Sequence, residues 1–333
     1  MPRPGGAFLF TTFSSMKSLS AFLVFTILLS CNNATENRIT DYTITEKDLI
    51  PEGLAFDQNT QKIYVSSTHK CKIVTIDKDG KVSDFIKDGQ DDIKSVIGME
   101  VDEKTNSLWA VSCEAPEFLP LTNRGTENFR SSIYHFNLAD GKLIKKYSLN
   151  KDSVFLNDLT VADDGTVYIT ESLQSGVYCI KSGSDSLEHI LDLKDNGFVN
   201  GISFTDKPGL LYVATGKGIY KIDLSTKQAS LLPEASSLKA TDIDGLSFHD
   251  NYFIGHQSTA VTRFYLSPQR DSIIKADTLN SGKEFNASTT GEVSPDSYYF
   301  IVNSQIQSGI DAANKKLKPL DSLTNIIIRK IKL

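Results

Sequence analysis

The chain is written in short apolar runs separated by polar turns. Leu54-Ala55-Phe56 is followed by the polar stretch Asp57-Gln58-Asn59-Thr60-Gln61 and then by Lys62-Ile63-Tyr64-Val65-Ser66-Ser67, which is rich in β-formers. Cys71-Lys72-Ile73-Val74-Thr75-Ile76 alternates polar and apolar positions, and Asp79-Gly80 turns the chain into Lys81–Ile86. Period-two alternation punctuated by Asp-Gly predicts four antiparallel strands joined by tight turns. The same grammar returns in Leu159–Val161, Thr166–Thr170 and Gly176–Ile180, and again in Ile202–Phe204, Leu210–Ala214 and Gly218–Ile222. Beyond the leader, no segment carries a long apolar stripe at helical period.

The unit repeats with a shared opening triplet. Glu52-Gly53-Leu54, Ile97-Gly98-Met99, Asn157-Asp158-Leu159, Asn200-Gly201-Ile202, Asp244-Gly245-Leu246 and Thr290-Gly291-Glu292 follow one another at steps of 45, 60, 43, 44 and 46 residues. Four-stranded units at this spacing predict an all-β, six-bladed β-propeller. The sixth unit holds Ser297–Val302 and a third strand near Asn325–Ile331, then runs out one strand short. The spare strand lies at the other end, Arg38–Ile44, and is expected to close the ring as the outer strand of blade six, which removes an unpaired edge. A β-sandwich or two smaller β domains would leave the six matched triplets and the two leftover strands unexplained.

The front end reads as a leader. Residues 1–30 have a short basic start at Met16-Lys17 and an apolar run to Leu29, too short for an ordinary span, and Met16 gives the better-shaped start. Leu28-Leu29-Ser30-Cys31 resembles a bacterial lipobox, so Cys31 is expected to be the lipidated first residue of the mature chain. Residues 32–37 are a polar tether and 38–333 a single propeller domain. The expected location is the bacterial cell envelope, on the periplasmic or outer-membrane face, with membrane contact only through the lipid. Export implies an oxidising compartment. Of the remaining cysteines, Cys179 reads as a small buried apolar residue. Cys71 and Cys113 fall in neighbouring blades where a bridge is conceivable.

A net charge of −6 argues against a nucleic-acid partner and a polybasic membrane patch. There is no P-loop, dinucleotide glycine motif, CxxC zinc pattern or nucleophile elbow. What remains is the set of opening triplets. In a propeller the first strand of each blade lies against the axis, so positions 52, 97, 157, 200, 244 and 290 share one level at one mouth of the channel. Taken singly, an Asn or Asp before Gly is a turn residue. Taken together, Glu52, Asn157, Asn200 and Asp244 offer two carboxylates and two amide oxygens, a donor set suited to a hard cation such as Ca2+. Asp158 and Asp242 are nearby acids that would assist the ligands, act as a base or serve structure. The loops after the second strands overlook the same mouth and carry His69, Cys113-Glu114, Glu171-Ser172, Thr215 and His256, with a long loop from Ala115 to Arg130. His256 or His69 is a candidate general base, or else a loop hydrogen-bonding residue.

The motifs Pro51-Glu52-Gly53, Leu156-Asn157-Asp158, Val199-Asn200-Gly201 and Ile243-Asp244-Gly245 resemble those of the SMP-30/gluconolactonase/LRE-like family, and of the wider six-bladed calcium propellers that include the paraoxonase and diisopropyl-fluorophosphatase types. The resemblance runs from Glu52 to about Ser304. It implies hydrolysis of a lactone or other small ester, with Ca2+ or another divalent cation such as Zn2+ held by Glu52, Asn157, Asn200 and Asp244. It also implies that Asp244 serves as base. Phe155 stands where sugar-lactone members carry an Arg, which points to a more apolar substrate. Two other readings are a non-catalytic, lipid-anchored binding propeller with a structural calcium, and a strictosidine-synthase-like propeller, against which the four oxygen ligands count.

Overall fold

A computed structural model describes residues 39–333, apart from 115–129, 150–152, 194–196, 312 and 315. The leader and Cys31 lie outside the described residues, as does most of the long blade-two loop. Six four-stranded antiparallel sheets stand in chain order. Blade one is Leu54–Asp57, Lys62–Ser66, Ile73–Ile76 and Val82–Ile86. Blade two begins with Ser95–Asp102 and Ser107–Glu114, blade three with Leu156–Val161 and Val167–Glu171, blade four with Val199–Phe204 and Leu210–Thr215, and blade five with Leu246–His249 and Tyr252–Gln257. Blade six is Gly291–Ser294, Ser297–Ile301 and Ile326–Lys332, completed on its outer edge by Thr40–Ile44. The closure expected from counting strands is therefore the one observed.

The blades adhere through apolar clusters at their interfaces. Phe56, Ile63 and Val74 of blade one meet Tyr299, Ile301, Ile326 and Ile328 of blade six, with the Phe56 and Tyr299 rings stacked 4.4 Å apart. Comparable clusters join blades two and three, four and five, and the remaining neighbours. Polar pairing reinforces the closing strand. Arg329 is almost fully buried. It donates to both carboxylate oxygens of Asp41 at 2.8 Å, to Glu284 at 2.7 Å and to Asn280 at 3.1 Å. A fork of donors met by carboxylates on two sides fixes the edge strand in register.

Backbone meets backbone at the axis. A Cβ on Gly53 would lie 1.9 Å from the Ile97 carbonyl oxygen, and one on Gly98 2.6 Å from that of Asn157. On Gly201 it would lie 2.5 Å from the Asp244 oxygen, and on Gly245 2.7 Å from Thr290 Oγ1. The glycines of the opening triplets are thus required by close approach. Hydrogen bonds follow the same path: Gly201 N–H donates to Asp244 O and Gly245 N–H to Thr289 O, both at 2.7 Å. Thr289 Oγ1 donates to Glu52 O at 2.8 Å, linking blade six to blade one. In blades two, three and four the ladder slips at the opening triplet, between Val96 and Met99, Leu156 and Leu159, and Val199 and Ile202. Such bulges re-aim a side chain.

The Gly201→Ala variant tests this reading. The overpacked ring should cost about 3 kcal/mol, the upper end for a forced methyl group, read as a lower urea midpoint at unchanged m-value. A variant as stable as the parent would show that the ring yields.

Candidate functional site

The inner ring carries the predicted polar residues. Glu52 N–H and Gly53 N–H both donate to Ser66 Oγ, at 3.2 and 2.7 Å, which pins the start of the first strand. Asp244 is held through its backbone, its N–H donating to His256 O at 2.8 Å. Its side chain meets its neighbour directly, Asn200 Nδ2 donating to Asp244 Oδ1 at 2.6 Å. Asn157 is buried, and its Nδ2 donates to Ser172 Oγ at 2.9 Å, which donates onward to Val199 O at 2.6 Å. The amide nitrogen of Asn157 is thereby committed, and its oxygen is the end left over.

The ring is charged without compensation. The Glu52 carboxylate has no hydrogen-bond donor and no cationic partner among the described residues. Its pKa lies well above the ordinary carboxylate range, because of withdrawal from bulk water first and then the charges of Asp244 and Asp158. Asp244 is pushed up to about 7 by burial, with the Asn200 hydrogen bond opposing. Asp158 is also raised to about 7, chiefly by burial, although the N–H groups of Leu159 and Ile202 stabilise its anion. Each of these is a desolvated acid in a confined channel. No group of three or more His, Cys, Asp or Glu side chains is placed to hold a metal ion among the described residues. Any cation at this level would depend on the Asn oxygens as well as the two carboxylates.

Beneath the ring, the axial channel widens to a cavity of about 430 Å³ whose lining includes Glu100, Asp158 and Glu292. Burial raises Glu292 to about 7, and Asp158 and Glu103 add to the shift. Glu100 is raised by burial and then by Glu292, against the Val161 N–H that donates to it at 3.1 Å. Glu100 and Glu292 also border a hollow with Gln58, Asp102 and Asp163, in the turns joining first and second strands at the opposite mouth. Sequence reasoning gives neither glutamate a role. The signal that could have found them is an acid on an axis-facing strand, within or just past an opening triplet.

The histidines separate from the ring. His256 is fully buried at the end of the second strand of blade five. Its ring nitrogens lie 2.9 Å from Ser288 Oγ and 2.7 Å from Tyr298 OH. Burial lowers its pKa to about 3. Its imidazole is clasped on both sides, and burial favours the neutral form. The physical reason is one of orientation: His256, expected in the loop, lies within the strand Tyr252–Gln257, which turns it into the interface with blade six. His69 is half-buried in the turn after the second strand of blade one and does not line the cavity beside Asn200 and Asp244. Cys113 lies in a strand rather than a loop and is a buried thiol, pushed well up by burial and then by the nearby charges of Glu52 and Cys71.

No protein-family model and no curated protein sequence matches the chain. Solved structures do. A gluconolactonase from Xanthomonas campestris superposes with a TM-score of 0.60 at 14% identity, over 89% of this chain and 90% of that one. A luciferin-regenerating enzyme gives 0.57 at 13%, over 88% and 95%. Virginiamycin B lyase from Staphylococcus aureus gives 0.56 at 12%, over 90% and 100%. At such identities the likeness establishes a shared propeller fold, and it agrees with the family resemblance carried by the opening motifs.

The acids at the axis predict how stability depends on pH. Below about pH 4 such carboxyls are protonated in folded and unfolded chains alike. As pH rises through about 7, where Asp158 titrates in the folded protein, they ionise in place and that stability is lost. The melting temperature of metal-free protein should therefore fall over this window, and Asp158→Asn should flatten part of the slope. Parallel profiles for the two proteins would show that Asp158 ionises as freely as in water.

Proposed function

We propose that this chain is a divalent-cation-dependent hydrolase of lactones or other small esters, acting at the channel mouth where the first strands begin. The observation that carries the reading is the pairing of two poorly compensated carboxylates, Glu52 and Asp244, with two amides, Asn157 and Asn200, on one ring. Two formal negative charges confined in this way favour a doubly charged cation, and the four oxygens suit Ca2+ with room for water and a substrate atom. Glu52, Asn157, Asn200 and Asp244 would hold the ion, with the Asn200 amide turned so that its oxygen faces inward. When bound, the ion would supply Lewis-acid polarisation of the ester carbonyl. The similarity in fold to gluconolactonases supports the reaction class.

The chain's own residues divide the remaining work. Asp244 accepts the proton of the attacking water. Its Oδ1 is engaged by Asn200 while Oδ2 has no partner among the described residues, which leaves an oxygen to take a proton. Asn157 is held in one orientation by Ser172, so its oxygen is presented without reorganisation. His256 is a positioning residue whose backbone carbonyl anchors the Asp244 N–H.

Calorimetry with Ca2+ and Zn2+, together with a panel of lactones and aryl esters, tests this. The Asn200→Ala/Asp244→Ala double variant should lose cation binding and about 100-fold or more of the hydrolysis rate, and a chelator should reproduce the loss. A rate unchanged in the variant would overturn the assignment. Parent protein that keeps its ion through mild chelation and hydrolyses nothing would be a binding propeller instead.

We also infer that the propeller is displayed on a bacterial envelope by a lipid on Cys31. Metabolic labelling with a fatty acid should mark the parent and not Cys31→Ala, and that variant should leave the membrane fraction. Equal labelling of both would remove the anchor.

A further inference from the structure

Beside Asn200 and Asp244 the mouth opens into a cavity of about 330 Å³, room for on the order of ten non-hydrogen groups at liquid density. Its character is lopsided. Phe198, Ile243 and Ile306 form an apolar wall, the charged lining residues are Asp242 and Asp244, and no Lys, Arg or His lines it among the described residues. Phe198 is a large apolar side chain left 38% exposed, its ring resting 5.9 Å from that of buried Phe155.

This wall is built rather than collapsed. Gly197, in the left-handed region at φ 76°, turns the chain just before Phe198. Ser175 Oγ donates to Gly197 O at 2.7 Å, and Gly216 N–H donates to Phe198 O at 3.1 Å. Ile306 comes from the segment between the second and third strands of blade six. Its N–H donates to Ser304 Oγ at 3.1 Å. The preceding Gln305 is buried and clamped to Thr324, its Nε2 donating to Thr324 O at 3.0 Å and its Oε1 accepting from Thr324 N–H at 2.9 Å. A phenyl ring fixed at the rim of a concave, mostly pre-formed site is an apolar surface suited to a ligand.

We propose that this cavity takes the alkyl or acyl chain of a neutral lactone or ester whose carbonyl lies at Asn200 and Asp244, and that Phe198 and Ile306 set the chain-length preference. The proposal rests on the hydrolase reading above. Its reasoning is electrostatic as well as apolar. A carboxylate or phosphate on the substrate would meet the exposed carboxylate of Asp242 with no cationic side chain among the described lining residues to offset it, and like charges repel even across water, though weakly. A hydrocarbon chain meets no such penalty and covers the exposed ring.

The test pairs turnover with binding. Hydrolysis is measured on neutral lactones of increasing alkyl length and on a lactone bearing a carboxylate, and the binding of matched non-hydrolysable alkyl lactams is measured by calorimetry. In the parent, kcat/KM and lactam affinity should rise about fourfold per methylene until the cavity is full, and the carboxylate-bearing lactone should be the poorest substrate. Phe198→Ala should lose most of the chain-length slope and Phe198→Leu should keep it. A flat slope in the parent, a slope unchanged in Phe198→Ala, or a preference for the anionic lactone overturns the proposal. Lactams that bind with the expected slope while no lactone or ester is hydrolysed would uphold the chain site and overturn the hydrolase reading.

Discussion

The structure depends on backbone meeting backbone around the propeller axis. Six blades can close at this radius only if the second residue of each opening triplet lacks a side chain or sends it along the channel. Gly53, Gly98, Gly201, Gly245 and Gly291 take the first course. Asp158 takes the second, its carboxylate receiving the Leu159 N–H at 2.9 Å. The same constraint decides what the preceding residue does. With the backbone pinned around it, that residue delivers its side chain to the mouth from within a strand at Asn157 and Asn200 and from the residues just before one at Glu52 and Asp244. Architecture and candidate chemistry are therefore two results of one packing problem, and a site held at the starts of the inner strands is the expected consequence.

That delivery has an electrostatic cost. Glu52, Asp158, Asp244, Glu100 and Glu292 share the channel, and each is shifted toward its neutral form by removal from bulk water. Crowding partly buried carboxyls together is destabilising even where, as at Asp158, Asp244, Glu100 and Glu292, an N–H group meets each of them. The apolar interfaces between blades and the Arg329 clamp supply the stability that offsets it, and they lie away from the axis. Strain and function concentrate at the centre while cohesion is spread around the rim, a division that propeller geometry permits because each interface is local.

Much of this was legible in the chain. The repeat period and the glycines of the opening triplets come from the same close approach, so reading one exposed the other. Closure followed from counting strands, and Thr40–Ile44 lies where the missing strand had to be. Orientation within a strand was not legible. A shift of one position reverses the face a side chain shows, and bulges at three of the triplets move that register. In blade five, where the first two strands pair without a slip, His256 lies within the second strand and turns inward to Ser288 and Tyr298. The segment carrying Ile306 escaped as well. Its short hairpin, Ile310–Asp311 with Lys316–Leu317, interrupts blade six without repeating anything, so periodicity had nothing to say about it.

A propeller frame is indifferent to chemistry, because the interfaces that stabilise it do not involve the residues at its mouth. Under the proposed reading, function at this mouth turns on the balance of charge and neutral oxygen among Glu52, Asn157, Asn200 and Asp244. Four carboxylates there would repel one another in the metal-free protein and over-neutralise a divalent cation, leaving it little pull on a substrate carbonyl. Four amides would hold the cation too weakly to keep it. Two of each, with Asn200 already spanning to Asp244 at 2.6 Å, would leave a bound cation neutralised but not fully encircled. Such a set of ligands would leave room for an oxygen from solution, and under the proposed reading the apolar wall at Phe198 would favour that of an ester over that of water.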